Sequence, residues 1–166
     1  MSAQTENPSA DNYTPLLILL GLTVSAAFAL EVGSPQWNWN NWMHNFMGLF
    51  LVIFSMFKLF DLRGFADGFS KYDVIAGRWR VYGLFYPLIE LGLGLGYLSK
   101  YYPKAVYLTT LAVMLVSSIG VLRSILKGSK LRCACMGTVL QVPLSTVTLV
   151  EDVGMGLMAL MMLIQS

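Results

Sequence analysis

Five long apolar segments constrain what this sequence can fold into more than any other feature does. Each is about 17–22 residues long, close to the length that an α-helix needs to cross a bilayer. Only 12% of the residues are charged, about half the share found in soluble domains. We therefore predict an all-α, polytopic transmembrane helical bundle. Its predicted spans are residues 15–31, 43–60, 81–98, 105–126 and 143–164.

The rest of the chain is short, so we predict one transmembrane domain, residues 13–166, after a polar tail, residues 1–12. Between the second and third spans, residues 64–78 are polar but striped, because apolar positions such as Phe65 and Phe69 recur at helical spacing. This pattern predicts an amphipathic helix that lies on the membrane surface.

Two glycines in the third predicted span, Gly92 and Gly96, are four residues apart. This spacing predicts a face of small residues that lets a neighbouring helix approach closely. With Gly94 they form G-x-G-x-G, but no strand precedes them, so the pattern does not indicate dinucleotide binding.

Composition excludes several function classes. The net charge of +2 gives no reason to expect a nucleic-acid partner, whereas the apolar segments predict contact with a lipid bilayer. The chain has one histidine and two cysteines, and it shows neither a phosphate-binding loop nor a Ser-His-Asp set. Most catalytic constellations are therefore impossible within this chain.

The two cysteines, Cys133 and Cys135, form a C-x-C in the loop predicted at residues 127–142. Lys130 and Arg132 beside them would favour the thiolate and raise its reactivity. Three interpretations stay open. The pair could exchange with a disulfide, it could bind a soft ion such as Cu(I), or it could be two small inert residues.

Three acidic residues fall well inside predicted spans, away from their ends: Glu90, Glu151 and Asp152. Each lies about nine residues from the same end of the bundle, which corresponds to a depth of about 13 Å. An acid inside a membrane is by default a functional hypothesis, and the alternative is a neutral acid that hydrogen-bonds helices together. Glu151 and Asp152 differ by about 100° around their helix, so only one can point to Glu90 or to the pair Ser117 and Ser118.

A second, weaker metal hypothesis concerns the start of the second span. Met43 and Met47 share a helix face, and the sole histidine, His44, lies between them in sequence. Methionine and histidine suit copper. The alternative is an interfacial histidine beside two methionines that face lipid or the core.

Basic residues are distributed asymmetrically between the two sides of a five-span topology. Nine fall on the side of the N-terminus and the cysteine loop: Lys58, Arg63, Lys71, Arg78, Arg80, Arg123, Lys127, Lys130 and Arg132. Only Lys100 and Lys104 fall on the other. The positive-inside rule then predicts a cytoplasmic N-terminus and a cytoplasmic cysteine loop. His44 lies at the opposite face, across a hydrocarbon core about 30 Å thick, so it cannot share an ion with the cysteines.

Three runs resemble the MauE/DoxX-like redox-associated membrane proteins, a group that includes the methylamine-utilisation MauE family. The runs are FMGLFLVIFSMFKLFDLRGFADGFSKYD, YPLIELGLGLGYL and CACMGTVLQVPLSTVTLVED. The resemblance implies a bundle in the bacterial inner membrane with a four-helix DoxX-like core, here with one span added. By position it makes Cys133 and Cys135 the thiol pair, and Glu90, Glu151 and Asp152 the membrane acids.

The MauE branch of this group implies processing, transport or disulfide maturation of the methylamine dehydrogenase small subunit in the periplasm. The function we favour is therefore a thiol or redox protein that assists the maturation of a partner, with thiol–disulfide exchange as its candidate activity. One alternative is transport or delivery of a soft heavy metal, copper or mercury, with a metal-carrying protein as partner. A second is a structural subunit of a membrane complex. The cytoplasmic cysteine loop that the charge count predicts disagrees with the periplasmic role that the resemblance implies.

Overall fold

Six α-helices make up the part of the chain that the structure, a computed structural model, describes: residues 14–71, 73, 75–126 and 144–165. Those residues contain no strand, which confirms the predicted all-α class. The helices are α1 (Thr14–Val32), α2 (Trp39–Phe60), α3 (Leu62–Phe69), α4 (Arg80–Ser99), α5 (Pro103–Leu126) and α6 (Leu144–Gln165).

Three helices in the described part of the chain are long and apolar enough to cross a membrane. They are Trp39–Phe60, Arg80–Ser99 and Pro103–Arg123. Helices α1 and α6 occupy the other two segments for which spans were predicted, and the apolar part of α1, Leu16–Val32, is shorter. The count of five spans and the DoxX-like core stay predictions.

Helices α1 and α2 are joined by a buried carboxylate. Glu31, near the end of α1, accepts a hydrogen bond from the backbone N–H of Asn38 at 2.7 Å. The side chain of Asn38 in turn accepts from the backbone N–H of Asn40 at 2.9 Å, which caps the first turn of α2. A carboxylate beside a helix N-terminus is also favoured by the helix dipole, so Glu31 fixes where α2 begins.

The α2–α4 crossing depends on two glycines, Gly48 and Gly94. A Cβ atom at Gly94 would lie 3.0 Å from both the carbonyl oxygen of Gly48 and the backbone nitrogen of Val52. The predicted small-residue face is therefore wrong for Gly92, which has no neighbouring atom within 4 Å of its Cβ position. Gly96 does face a neighbour, Val106 of α5.

The amphipathic helix predicted over residues 64–78 is shorter in the structure, where α3 ends at Phe69. The apolar stripe packs against the protein, since Phe65 and Phe69 are buried and the Phe69 ring centroid lies 4.5 Å from that of Tyr86 in α4. After α3, the carboxylate of Asp73 accepts hydrogen bonds from the backbone of Ile75 and Ala76. Such local bonds compete with helical ones, so the chain turns here.

Helices α5 and α6 pack side by side in antiparallel register. Ser117 pairs with Asp152, while a Cβ atom at Gly156 would lie 3.9 Å from the Cβ of Met114. Residue numbers therefore rise along α6 as they fall along α5. The same holds for α2 and α4, where Gly48 meets Gly94. The candidate site lies among these four helices.

Candidate functional site

A lysine and a glutamate form an ion pair inside the bundle. Lys58 is 3% exposed and Glu90 is 4% exposed. The ammonium group of Lys58 donates to both oxygens of the Glu90 carboxylate. It also lies 5.5 Å from the ring centroid of Phe65 and 5.1 Å from that of Tyr86, where the ring faces attract a cation. One aromatic ring from α3 and one from α4 therefore help to accommodate the buried charge of Lys58.

The two acids of α6 lie next to this pair. Asp152 is buried and accepts a hydrogen bond from the Ser117 hydroxyl at 2.7 Å. Glu151 is half-buried, and its Oε2 atom is enclosed without a hydrogen-bond partner. Both carboxyl groups interact electrostatically with Lys58 and Glu90. The structure thus brings together Glu90, Glu151 and Asp152, the three membrane acids that the sequence analysis identified. Their functional role stays a prediction.

A fourth acid, Asp73, approaches the cluster from the segment between α3 and α4. Its Oδ1 atom accepts backbone hydrogen bonds at 2.9 and 2.7 Å, whereas its buried Oδ2 atom has no partner. Burial raises the pKa of Asp73 above its ordinary value of 3.8, and the N–H groups of Ala76 and Ile75 oppose the rise. The charge of Asp73 acts on Asp152, which makes Asp73 part of the same electrostatic group.

Sequence reasoning missed Lys58 as a site residue, because a lysine near the end of a span was counted as a basic residue of the cytoplasmic side. Its burial corrects that count, which falls from nine to eight against two. The available signal was a charge inside a predicted span, which is costly unless it is paired. Asp73 was also missed, since it lies outside the predicted spans.

The predicted Met43–His44–Met47 metal site lies at the other end of α2. All three residues are buried. The Nδ1 atom of His44 lies 3.2 Å from the carbonyl oxygen of Tyr97 and therefore donates to it. The Nε2 atom consequently accepts from the Tyr107 hydroxyl at 2.6 Å. Both ring nitrogens have protein partners, an arrangement that favours a structural histidine over a metal ligand.

The predicted thiol pair, Cys133 and Cys135, lies outside the described residues. In sequence the pair falls between the end of α5 at Leu126 and the start of α6 at Leu144. Within the described residues, no group of three or more histidine, cysteine, aspartate or glutamate side chains could hold a metal ion. The redox and soft-metal roles of the cysteines stay predictions.

Comparison with known proteins yields one match. The sequence profile of the family described as "Methylamine utilisation protein MauE" matches residues 39–165. The matched region runs from the start of α2 to the end of α6, so it contains the whole ionic cluster and both cysteines. Neither a curated protein nor a solved structure matches the chain.

Proposed function

The chain belongs to the MauE family, and from this premise we propose that it is a membrane thiol protein that assists the maturation of a partner. Family membership implies a role in methylamine utilisation, and the long apolar helices imply a membrane protein. The proposed thiol role rests on the C-x-C of Cys133 and Cys135, which are the only thiols in the matched region. The proposed client is the small subunit of methylamine dehydrogenase.

The proposed chemistry is thiol–disulfide exchange. A thiolate of the client attacks the Cys133–Cys135 disulfide and forms a mixed disulfide, and a second client thiolate then displaces it. The client gains one disulfide and the C-x-C pair is reduced to two thiols, which a further protein disulfide must reoxidise. A disulfide between residues two apart closes a strained ring, and strain makes a disulfide more oxidising.

Serine variants test this proposal directly. In cells that lack the wild-type gene, Cys133→Ser and Cys135→Ser should each abolish growth on methylamine while the protein stays in the membrane, because serine keeps the side-chain size. The thiolate that remains in each variant should also attack the disulfide of the oxidised client and release one client thiol, which leaves a mixed disulfide visible on a non-reducing gel. Ser129→Ala, in the same segment of the sequence, is the matched control and should grow normally. Normal growth of both cysteine variants would contradict the proposal.

Transport or delivery of a soft metal is the second candidate, and buried thioethers favour it. Five methionines from three helices are almost fully buried, namely Met43, Met47, Met114, Met155 and Met162. Thioethers and thiolates suit Cu(I), although methionine also packs cores well. A redox protein should show a reversible two-electron titration above roughly −300 mV. A copper carrier should instead bind Cu(I) in about 1:1 ratio through two thiolates.

We further propose that the protein lies in the bacterial inner membrane, and eight basic residues against two favour a cytoplasmic cysteine segment. In that orientation the cysteines would exchange with a cytosolic partner, whereas direct exchange with a periplasmic client requires the inverted topology. With the segment in the cytoplasm, a membrane-impermeant maleimide should label Cys133 and Cys135 only after the cells are permeabilised. The control is Ser99→Cys in a background without the native cysteines. Ser99 is the last residue of α4, on the side of the membrane opposite to the predicted cytoplasmic face, so the new cysteine should be labelled in intact cells. The reverse labelling pattern would invert the topology and favour a periplasmic client site.

A further inference from the structure

Among the residues that the structure describes, the charges buried where α2, α4 and α6 meet do not balance. The buried ammonium group of Lys58 interacts with the carboxyl groups of Glu90, Glu151 and Asp152, and the charge of Asp73 in turn acts on Asp152. Glu90 holds Lys58 with both of its oxygens, so the pair is complete. The other three carboxyl groups would leave an uncompensated negative charge in a medium of low dielectric, which is strongly unfavourable.

Two oxygen atoms of these carboxyl groups are buried without a hydrogen-bond donor. Oδ2 of Asp73, a residue that is 3% exposed, and Oε2 of Glu151 are both enclosed and lack a hydrogen-bond partner. A buried oxygen without a donor is rare in proteins. A proton on such a carboxyl group removes the charge and turns one oxygen into a donor. Among the described residues, no group of three or more histidine, cysteine, aspartate or glutamate side chains could hold a metal ion in place of a proton.

We propose that Asp73, Asp152 and Glu151 form a proton-binding path that leads from one face of the membrane to the Lys58–Glu90 pair. The order follows from depth. Asp73 precedes α4, whereas Asp152 lies eight residues into α6, about 12 Å from its start. Glu90 lies ten residues into α4, about 15 Å from its start. Asp73 acts electrostatically on Asp152, and Asp152 and Glu151 each interact with Lys58 and Glu90.

Along α2 the path does not continue toward the opposite face. From Lys58 to His44 is fourteen residues along α2, or about 21 Å. Between them the buried residues of α2 are almost all apolar: Phe46, Met47, Gly48, Phe50, Leu51, Phe54 and, as the one polar side chain, Ser55. Ser55 bonds to the carbonyl of Val52 within α2. Helix α2 therefore offers no continuous polar route from the site to the His44 end of the bundle.

Among the described residues, the elements packed against the site contribute the following groups, and Asp61, between α2 and α3, accepts from the backbone N–H of Gly64 at 3.0 Å. Helix α2 supplies Lys58, α4 supplies Tyr82, Tyr86 and Glu90, α5 supplies Ser117, and α6 supplies both of its acids. The charged side chains of α3, Arg63 and Asp67, are exposed. Asp73 is the outermost acid, and because burial raises its pKa, it can take up a proton at a higher pH than a free aspartate.

Infrared spectroscopy of the full chain in lipid nanodiscs tests the proposal, because a protonated carboxyl group absorbs apart from a carboxylate. Wild-type protein at neutral pH should show protonated carboxyl bands, and Glu151→Gln and Asp152→Asn should each lose one. An amide resembles a protonated acid in shape and charge, so both variants should fold. Lys58→Met should gain a band, since Glu90 then takes a proton. Asp67→Asn, which alters an exposed acid, is the matched control and should leave the bands unchanged.

Wild-type protein without protonated carboxyl bands at neutral pH would overturn the proposal, as would identical bands in wild type, Glu151→Gln and Asp152→Asn. Loss of fold in these amide variants would also count against it, because a neutral acid tolerates an amide and an ion-paired one does not. The measurement does not involve the thiols. Replacing Cys133 and Cys135 with serine should leave every band in place, so proton binding and the proposed thiol function succeed or fail separately.

Discussion

Replacing Lys58 with methionine should lower the free energy of unfolding by about 3–5 kcal/mol, the usual cost of removing one partner of a buried ion pair. Methionine keeps most of the side-chain length and its contact with Phe65 and Tyr86. It leaves Glu90 buried without a counter-charge. Glu90 must then take up a proton to stay buried, and the cost should shrink as the pH falls because that proton uptake becomes easier. Reversible unfolding in mixed detergent micelles provides the measurement.

Two further variants separate charge from packing in this experiment. Lys58→Met combined with Glu90→Gln should recover most of the loss, since a buried pair can often be replaced by neutral groups at little cost. Arg80→Met is the control, because it removes an ion pair on the surface. The side chain of Arg80 is 63% exposed and that of its partner Asp67 is 53% exposed, so the change should cost less than about 1 kcal/mol. If Lys58→Met proved as mild as Arg80→Met, the buried pair would not stabilise the bundle.

Gly94→Leu should be the second strongly destabilising change, with a loss of about 3 kcal/mol. Its Cβ atom would meet backbone atoms of α2 at 3.0 Å, and backbone cannot rotate away as a side chain can. Helices α2 and α4 would have to separate, which would also pull Lys58 from Glu90. The same unfolding assay applies, and the protonated carboxyl band expected from an unpaired Glu90 would report the separation independently.

Gly92→Leu is the matched control, two residues away on the same helix. Gly92 is exposed and has open space around its Cβ position. Leucine should therefore be tolerated there and could stabilise α4 by up to about 1 kcal/mol, because it has the higher helix propensity. Equal effects at the two positions would mean that close α2–α4 contact is not what Gly94 provides.

These two glycines also show what the sequence could and could not predict. Hydropathy located the long helices because an apolar run of that length has few other stable solutions in lipid. The depth of Glu90, Glu151 and Asp152 followed from the fixed rise of a helix. The rotation of α4 about its own axis was not encoded locally. It was therefore Gly94, and not the pair Gly92 and Gly96, that met α2.

Local sequence patterns also do not predict which way a side chain at a helix end points. Lys58 lies two residues before the end of α2, where a lysine can usually reach water. It turns inward because Glu90 and two aromatic rings from other helices surround its ammonium group. The partners of His44 are 53 and 63 residues away in sequence. No spacing rule predicts hydrogen bonds between positions so far apart. From the sequence alone, His44 was therefore a candidate metal ligand.

The hydrogen bonds of His44 have a mechanical consequence. At that end of the bundle one imidazole ties three helices together, through Tyr97 of α4 and Tyr107 of α5. At the other end the strong contacts run within pairs, Lys58 with Glu90 and Ser117 with Asp152. In the described part of the chain, hydrogen bonds thus fasten α5 to α2 and α4 at the histidine end. At the other end, α6 meets the Lys58–Glu90 pair through the charges of Glu151 and Asp152.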